Sequence, residues 1–166
     1  MAQVKFGELS ANTTTELPAV GSDAPRFRLT ANDMRPVTSE QFEGKNIVLN
    51  IFPSIDTNTC ATSVREFNKR AASLENTVVL CVSKDLPFAM RRFCGAEGIT
   101  NVITASDFRG LGFSKDYGVE FTDGPFAGLC ARAVVVIDNI GKIKYTQLVP
   151  KIGDEPNYDG ALNAIQ

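Results

Sequence analysis

Two short apolar runs separated by an amphipathic stretch constrain this chain more than any other feature. Asn46 to Phe52 (NIVLNIF) is followed at once by Pro53, and Val78 to Val82 (VVLCV) lies further on. Unbroken runs of this kind mark strands covered on both faces, because a half-exposed strand alternates apolar with polar residues. Between them, apolar residues recur from Ala61 at Val64, Phe67, Ala71 and Leu74. Steps of three and four place these side chains on one face of a helix. A strand, a helix and a strand in that order form a crossover unit whose strands run parallel through a right-handed connection.

The remaining elements extend this unit. Residues 3–17 alternate weakly across a polar turn and predict an N-terminal hairpin, and Arg26 to Thr30 alternates as a half-buried strand would. Thr38 to Phe42 predicts one helical turn ended by Gly44. Asp85-Leu86-Pro87 opens a helix with a capping side chain and an early proline, and Gly95 lies just past its expected end. A short strand over Asn101 to Thr104 and a helix over Phe108 to Tyr117, stopped by Gly118, come next. Ala133 to Ile137 and Ile143 to Leu148 are strands joined by a turn at residues 138–141, and Asp154-Glu155-Pro156 opens a last helix. The expected architecture is α/β: a thioredoxin-like fold with an N-terminal β-hairpin extension and a central mixed sheet flanked by helices. A length of 166 residues suits one domain spanning 1–166.

Composition narrows the chemistry. Nineteen acidic and seventeen basic residues give a net charge of −2, which offers no electrostatic reason to expect nucleic acid or an anionic membrane as partner. No run approaches the length of a membrane span, and the first residues lack the apolar core of a signal peptide, so the expected compartment is the cytoplasm. Histidine is absent altogether. That removes Ser-His-Asp and Cys-His catalysis and histidine metal sites, so any nucleophile must be activated by Arg, Lys, a helix N-terminus or a carboxylate. The four cysteines, Cys60, Cys81, Cys94 and Cys130, contain no C-x-x-C pair, so neither a thioredoxin-type motif nor a zinc ribbon is written here, and no metal is expected.

Cys60 stands out by position. The segment Pro53-Ser54-Ile55-Asp56-Thr57-Asn58-Thr59-Cys60 joins the first buried strand to the amphipathic helix, the place where open α/β sheets bind ligands. With Thr57 as N-cap, Cys60 falls at the third helical position. There it faces free backbone N–H groups and the positive end of the helix dipole, both of which favour thiolate over thiol. Pro53 has no N–H and fixes the chain as it leaves the strand. On position alone, the alternative of a small inert core thiol stays open.

The spacing P-x-x-x-T-x-x-C resembles the active-site motif of the peroxiredoxins. Residues 85–89 (DLPFA), 92–98 (RFCGAEG), 124–125 (GP), 128–129 (GL) and 131–138 (ARAVVVID) are similar to one branch of them, the bacterial thiol peroxidase family of atypical two-cysteine peroxiredoxins. The resemblance runs over essentially the whole chain. It implies that Cys60 is the peroxidatic cysteine, oxidised to a sulfenic acid by peroxide. It implies that the Thr57 hydroxyl bonds thiolate and peroxide, that Pro53 screens the site and that Arg132 stabilises the thiolate and polarises the O–O bond. Without histidine, a permanently charged guanidinium is also the natural partner on physical grounds.

Cys94 matches the family's resolving cysteine, which implies a Cys60–Cys94 disulfide and a Cys94 segment able to unwind beside Gly95 and Gly98. Cys81 reads as an inert buried thiol of raised pKa and Cys130 as passive, while Arg91 and Arg92 could lower the pKa of Cys94. Phe121, Phe126 and Leu129 cover the core, line an apolar collar or bury into a second copy. The family further implies hydrogen peroxide and alkyl hydroperoxides as substrates, thioredoxin as reductant, a homodimer and no cofactor, since sulfur supplies both electrons. A thiol–disulfide exchange enzyme and a non-enzymatic peroxide sensor are the rival readings.

Overall fold

The computed structural model describes residues 1–166. Strands β1 (Gln3–Phe6) and β2 (Leu9–Asn12) form the expected N-terminal hairpin. Strands β3 (Arg28–Ala31) and β4 (Pro36–Thr38) precede a 3-10 turn over Ser39–Phe42. The crossover unit then follows: β5 (Asn46–Ile51), α1 (Asn58–Ala71) and β6 (Thr77–Ser83). After it come α2 (Pro87–Glu97), β7 (Ile103–Ser106), α3 (Phe113–Asp116), β8 (Ala133–Ile137), β9 (Ile143–Leu148) and α4 (Tyr158–Asn163).

Seven strands make one mixed sheet in the order β4-β3-β7-β6-β5-β8-β9. β6 runs parallel to both β5 and β7, whereas β8 is antiparallel to β5 and β9. Each buried strand feeds both faces, as its unbroken apolar sequence requires. Ile47, Leu49 and Ile51 point into a core shared with Leu80, Val82, Phe27, Phe113 and Tyr117. Val48, Phe52, Val79 and Cys81 point the other way, against Cys60, Val64 and Phe67 of α1. Pairing of Ile51 with Ala133 brings the start of β8 beside the end of β5. Arg132 therefore lies next to the chain that leaves β5 for α1.

Several expectations need correcting. β4 was not foreseen, because a three-residue edge segment beginning with proline carries no alternation signal. The helix expected over Phe108 to Tyr117 shrinks to one turn, since Gly110 and Gly112 both adopt positive φ (65° and 106°) ahead of it. β7 lies two residues later than expected. α2 continues through Gly95 and ends at Gly98, whose left-handed φ of 66° forms the C-cap. Its N-cap is Leu86, without a side-chain bond, so Asp85 does not cap it. The last helix starts at Tyr158 under an Asn157 cap, later than Asp154 to Pro156 suggested.

Candidate active site

Cys60 occupies the third position of α1 and is fully buried. Thr57 caps the helix, its Oγ1 accepting a hydrogen bond from the Cys60 backbone N–H at 3.4 Å. Arg132, only 2% exposed, donates from Nη1 to Cys60 Sγ at 3.2 Å and from Nη2 to the Ile152 carbonyl at 2.8 Å. Its Nε has no hydrogen-bond partner. A buried guanidinium requires acceptors or a counter-charge, and the cysteine sulfur and the Ile152 carbonyl are the acceptors that meet it here. Pro53 is buried where the chain leaves β5. The structure thus brings Cys60, Thr57, Arg132 and Pro53 to one sheet edge.

The loop between β5 and α1 is held by neighbours that motif spacing did not identify. Asp85, just past β6, accepts from Ser54 Oγ and from the Ile55 backbone N–H, both at 2.7 Å. The Ser54 carbonyl in turn accepts from Thr57 N at 3.2 Å and Thr57 Oγ1 at 3.1 Å. On the opposite side, Thr59 Oγ1 donates to the Gly153 carbonyl at 3.1 Å. The turn after β9 therefore closes over the helix start through both Thr59 and Arg132.

Cys94 is not joined to this cluster. It projects from α2 toward β7, with Sγ 3.6 Å from Thr104 Oγ1, and all four cysteines are free thiols. Burial pushes the Cys94 thiol up in pKa, partly offset by hydrogen bonds from Thr104 and Asn32. The suggestion that Arg91 and Arg92 lower it is therefore corrected. Arg92 pairs with Asp56 at 3.2 Å, and both side chains are well exposed.

Burial pushes Cys81 and Cys130 up to about 12. Cys81 accepts a weak hydrogen bond from Asn50 at 3.6 Å, and Cys130 lies near the buried Asp107 and its ion-pair partner Lys84. Below about pH 8.5 both thiols are protonated whether the chain is folded or unfolded. Above it the unfolded chain releases protons that the folded chain keeps, so stability falls up to the folded values near 12. The expected loss is about 1 kcal/mol per thiol per pH unit. Urea unfolding under reducing conditions at pH 7.5 and 9.5 measures it, and equal midpoints would contradict it.

Of the three apolar residues expected in the loop after α3, Phe126 and Leu129 are partly buried and Phe121 is buried in a small third core. It packs there with Val4, Ala11 and Ala131 and lies 5.4 Å from the Phe6 ring. Phe126 lies 5.0 Å from the same ring. These side chains seat the N-terminal hairpin.

Residues 19–162 match the Redoxin family model. The chain is 58% identical to thiol peroxidase of Mycobacterium tuberculosis over 165 residues, 99% of each chain. It is 53% identical to thiol peroxidase of Corynebacterium glutamicum over the same span. A crystal structure of a peroxiredoxin-like protein from Aquifex aeolicus superposes with a TM-score of 0.92 at 38% identity, covering 97% of this chain and 94% of that one. Thiol peroxidase from Chromobacterium violaceum shares the fold with a TM-score of 0.88 at 21% identity, covering 97% and 93%. A fully buried cysteine capped by threonine and met by arginine thus sits in a chain that belongs to the redoxins and, within them, to the thiol peroxidases, which are peroxide-reducing oxidoreductases.

Proposed function

We propose that this chain reduces hydrogen peroxide and alkyl hydroperoxides through Cys60, forms a Cys60–Cys94 disulfide and is recycled by thioredoxin. The observation that carries this reading is the 3.2 Å contact between Arg132 Nη1 and Cys60 Sγ at a helix N-terminus. The Cys60 thiolate attacks the nearer peroxide oxygen, the O–O bond breaks, and the leaving oxygen takes a proton to become water or alcohol. Sulfur is oxidised to the sulfenic acid. Arg132 supplies a fixed positive charge where negative charge develops, and its unpartnered Nε is a further donor for an incoming oxygen. Pro53 keeps water from that oxidised sulfur. The Cys94 thiol then displaces hydroxide from the sulfenic acid, releasing water and forming the disulfide, which a dithiol returns to two thiols.

The same reading extends to setting and assembly. Four free thiols suit a reducing cytoplasm. A homodimer is supported by Leu86 and Phe88, apolar residues 53% and 64% exposed at the start of α2. All of this belongs to one domain over 1–166, without nucleic acid, membrane or cofactor. No helix is long and apolar enough to cross a membrane.

Peptide mapping after one equivalent of peroxide tests the cycle, and a disulfide other than Cys60–Cys94 would overturn it. Arg132→Gln is expected to slow Cys60 oxidation by about 10²–10³-fold, the scale of losing one preorganised donor. Stopped-flow fluorescence measures that rate, and a change under threefold would remove Arg132 from the reaction.

A further inference from the structure

We infer that Asp85 is a positioning residue for the peroxide step, holding the Ser54–Thr57 loop so that the Thr57 hydroxyl accepts a hydrogen bond from the peroxide O–H beside Cys60. The inference rests on the reading of Cys60 as peroxide nucleophile. The sequence suggests a helix cap at Asp85, yet the carboxylate points away from α2. Oδ1 accepts from Ser54 Oγ at 2.7 Å, and Oδ2 accepts from Ile55 N at 2.7 Å and from Ser83 Oγ at 2.5 Å. An ionised carboxylate only accepts, so its demands match a loop that offers only donors. Charge-assisted bonds of this kind are about twice as strong as neutral ones.

The mount is itself hydrogen-bonded on several sides. Asp85 N donates to Ser83 Oγ at 3.1 Å, its carbonyl accepts from Ser106 Oγ of β7, and Asp107 N donates to the Ser83 carbonyl at 2.9 Å. The carboxylate is therefore anchored to the carboxyl ends of two adjacent parallel strands. Ser54 relays that anchorage. Its Oγ accepts from Asp56 N at 3.1 Å, and its carbonyl accepts both the Thr57 N–H and the Thr57 hydroxyl proton. A threonine hydroxyl has one proton and two lone pairs. The proton goes to Ser54 and one lone pair to Cys60 N, leaving one acceptor direction for the O–H of a hydroperoxide. Release of Ser54 from Asp85 frees the Thr57 hydroxyl to rotate, and misplacement by about 1 Å costs on the order of 10²-fold in rate.

Stopped-flow oxidation of Cys60 by peroxide, set beside its alkylation by iodoacetamide, tests the inference in Asp85→Ala, Asp85→Asn, Thr57→Val and the Asp85→Ala/Thr57→Val double variant. Alkylation needs no acceptor at Thr57. Asp85→Ala is expected to slow peroxide oxidation by roughly 10- to 100-fold while alkylation changes by about threefold or less. Asp85→Asn, isosteric but one acceptor poorer, should fall in between. The double variant should be no slower than Thr57→Val, because Asp85 acts through that hydroxyl. Equal losses in both reactions, additive losses in the double variant or an unchanged peroxide rate would each overturn the inference. If the alanine variant does not fold, the split between the two reactions in Asp85→Asn decides. Wild-type protein that fails to oxidise Cys60 with peroxide would instead sink the proposed function.

Discussion

Replacing Cys60 by serine is expected to abolish peroxide consumption, lowering turnover by on the order of 10⁴-fold or more. The alcohol that replaces the thiol is un-ionised near neutral pH and a poor nucleophile toward oxygen. No other side chain at this sheet edge can take its place, because the sequence contains no histidine and Cys81 and Cys130 are buried thiols held protonated. The substitution should leave the fold intact. Serine is close in size, the backbone N–H of residue 60 keeps its bond to Thr57, and a hydroxyl can still accept from Arg132 Nη1. Peroxide consumption coupled to thioredoxin, its reductase and NADPH measures the loss, with thermal unfolding as the control. Sustained turnover in a folded Cys60→Ser protein would refute the role given to this residue.

Cys94→Ser is expected to separate the two halves of the cycle. The first oxidation should proceed within about threefold of the wild-type rate, because Cys94 bonds to Thr104 and not to the Cys60 cluster. Recycling by thioredoxin should fail, since no disulfide can form. A sulfenic acid trappable by dimedone should then persist and pass to the sulfinic acid under excess peroxide. Under the proposed Cys60–Cys94 route, the Cys94 thiol must leave Thr104 before its sulfur can bond to Cys60. Helix α2 is suited to this. Only Pro87 and Met90 are buried along it, and its end rests on the left-handed Gly98. Its ties to α1 and the active-site loop include partly buried Phe93, which packs on the α1 core beside Arg65, and the exposed pairs Arg65–Glu97, at 2.8 Å, and Arg92–Asp56. Surface pairs of this kind hold weakly and are screened by salt. Wild-type turnover with thioredoxin in Cys94→Ser would show that another thiol resolves the sulfenic acid.

The local elements around the site were legible because their causes are local. Apolar runs set β5 and β6, steps of three and four set α1, and a threonine three residues ahead of Cys60 supplied the cap. Asp85 shows where such reasoning fails. An acid two residues before a proline matches a helix start, and nothing nearby in sequence reveals a competing set of donors thirty residues earlier. α3 is shorter than its apolar pattern suggests for a different reason: Gly110 and Gly112 hold the chain ahead of it outside helical space.

By itself, the sequence determined the crossover unit, the place of Cys60 at a helix N-terminus and the requirement for a cation other than histidine. Those follow from periodicity, capping and composition, which act within a few residues. Only the tertiary structure decided how Arg132 is held against the sulfur, which carboxylate steadies the loop and that the Cys94 thiol rests on Thr104. Arg132 reaches Cys60 across 72 positions because β8 pairs with β5 in antiparallel register, and Asp85 reaches Ile55 because β6 lies beside the same strand. Strand order arises from the packing of the whole sheet, and local patterning carries no record of it.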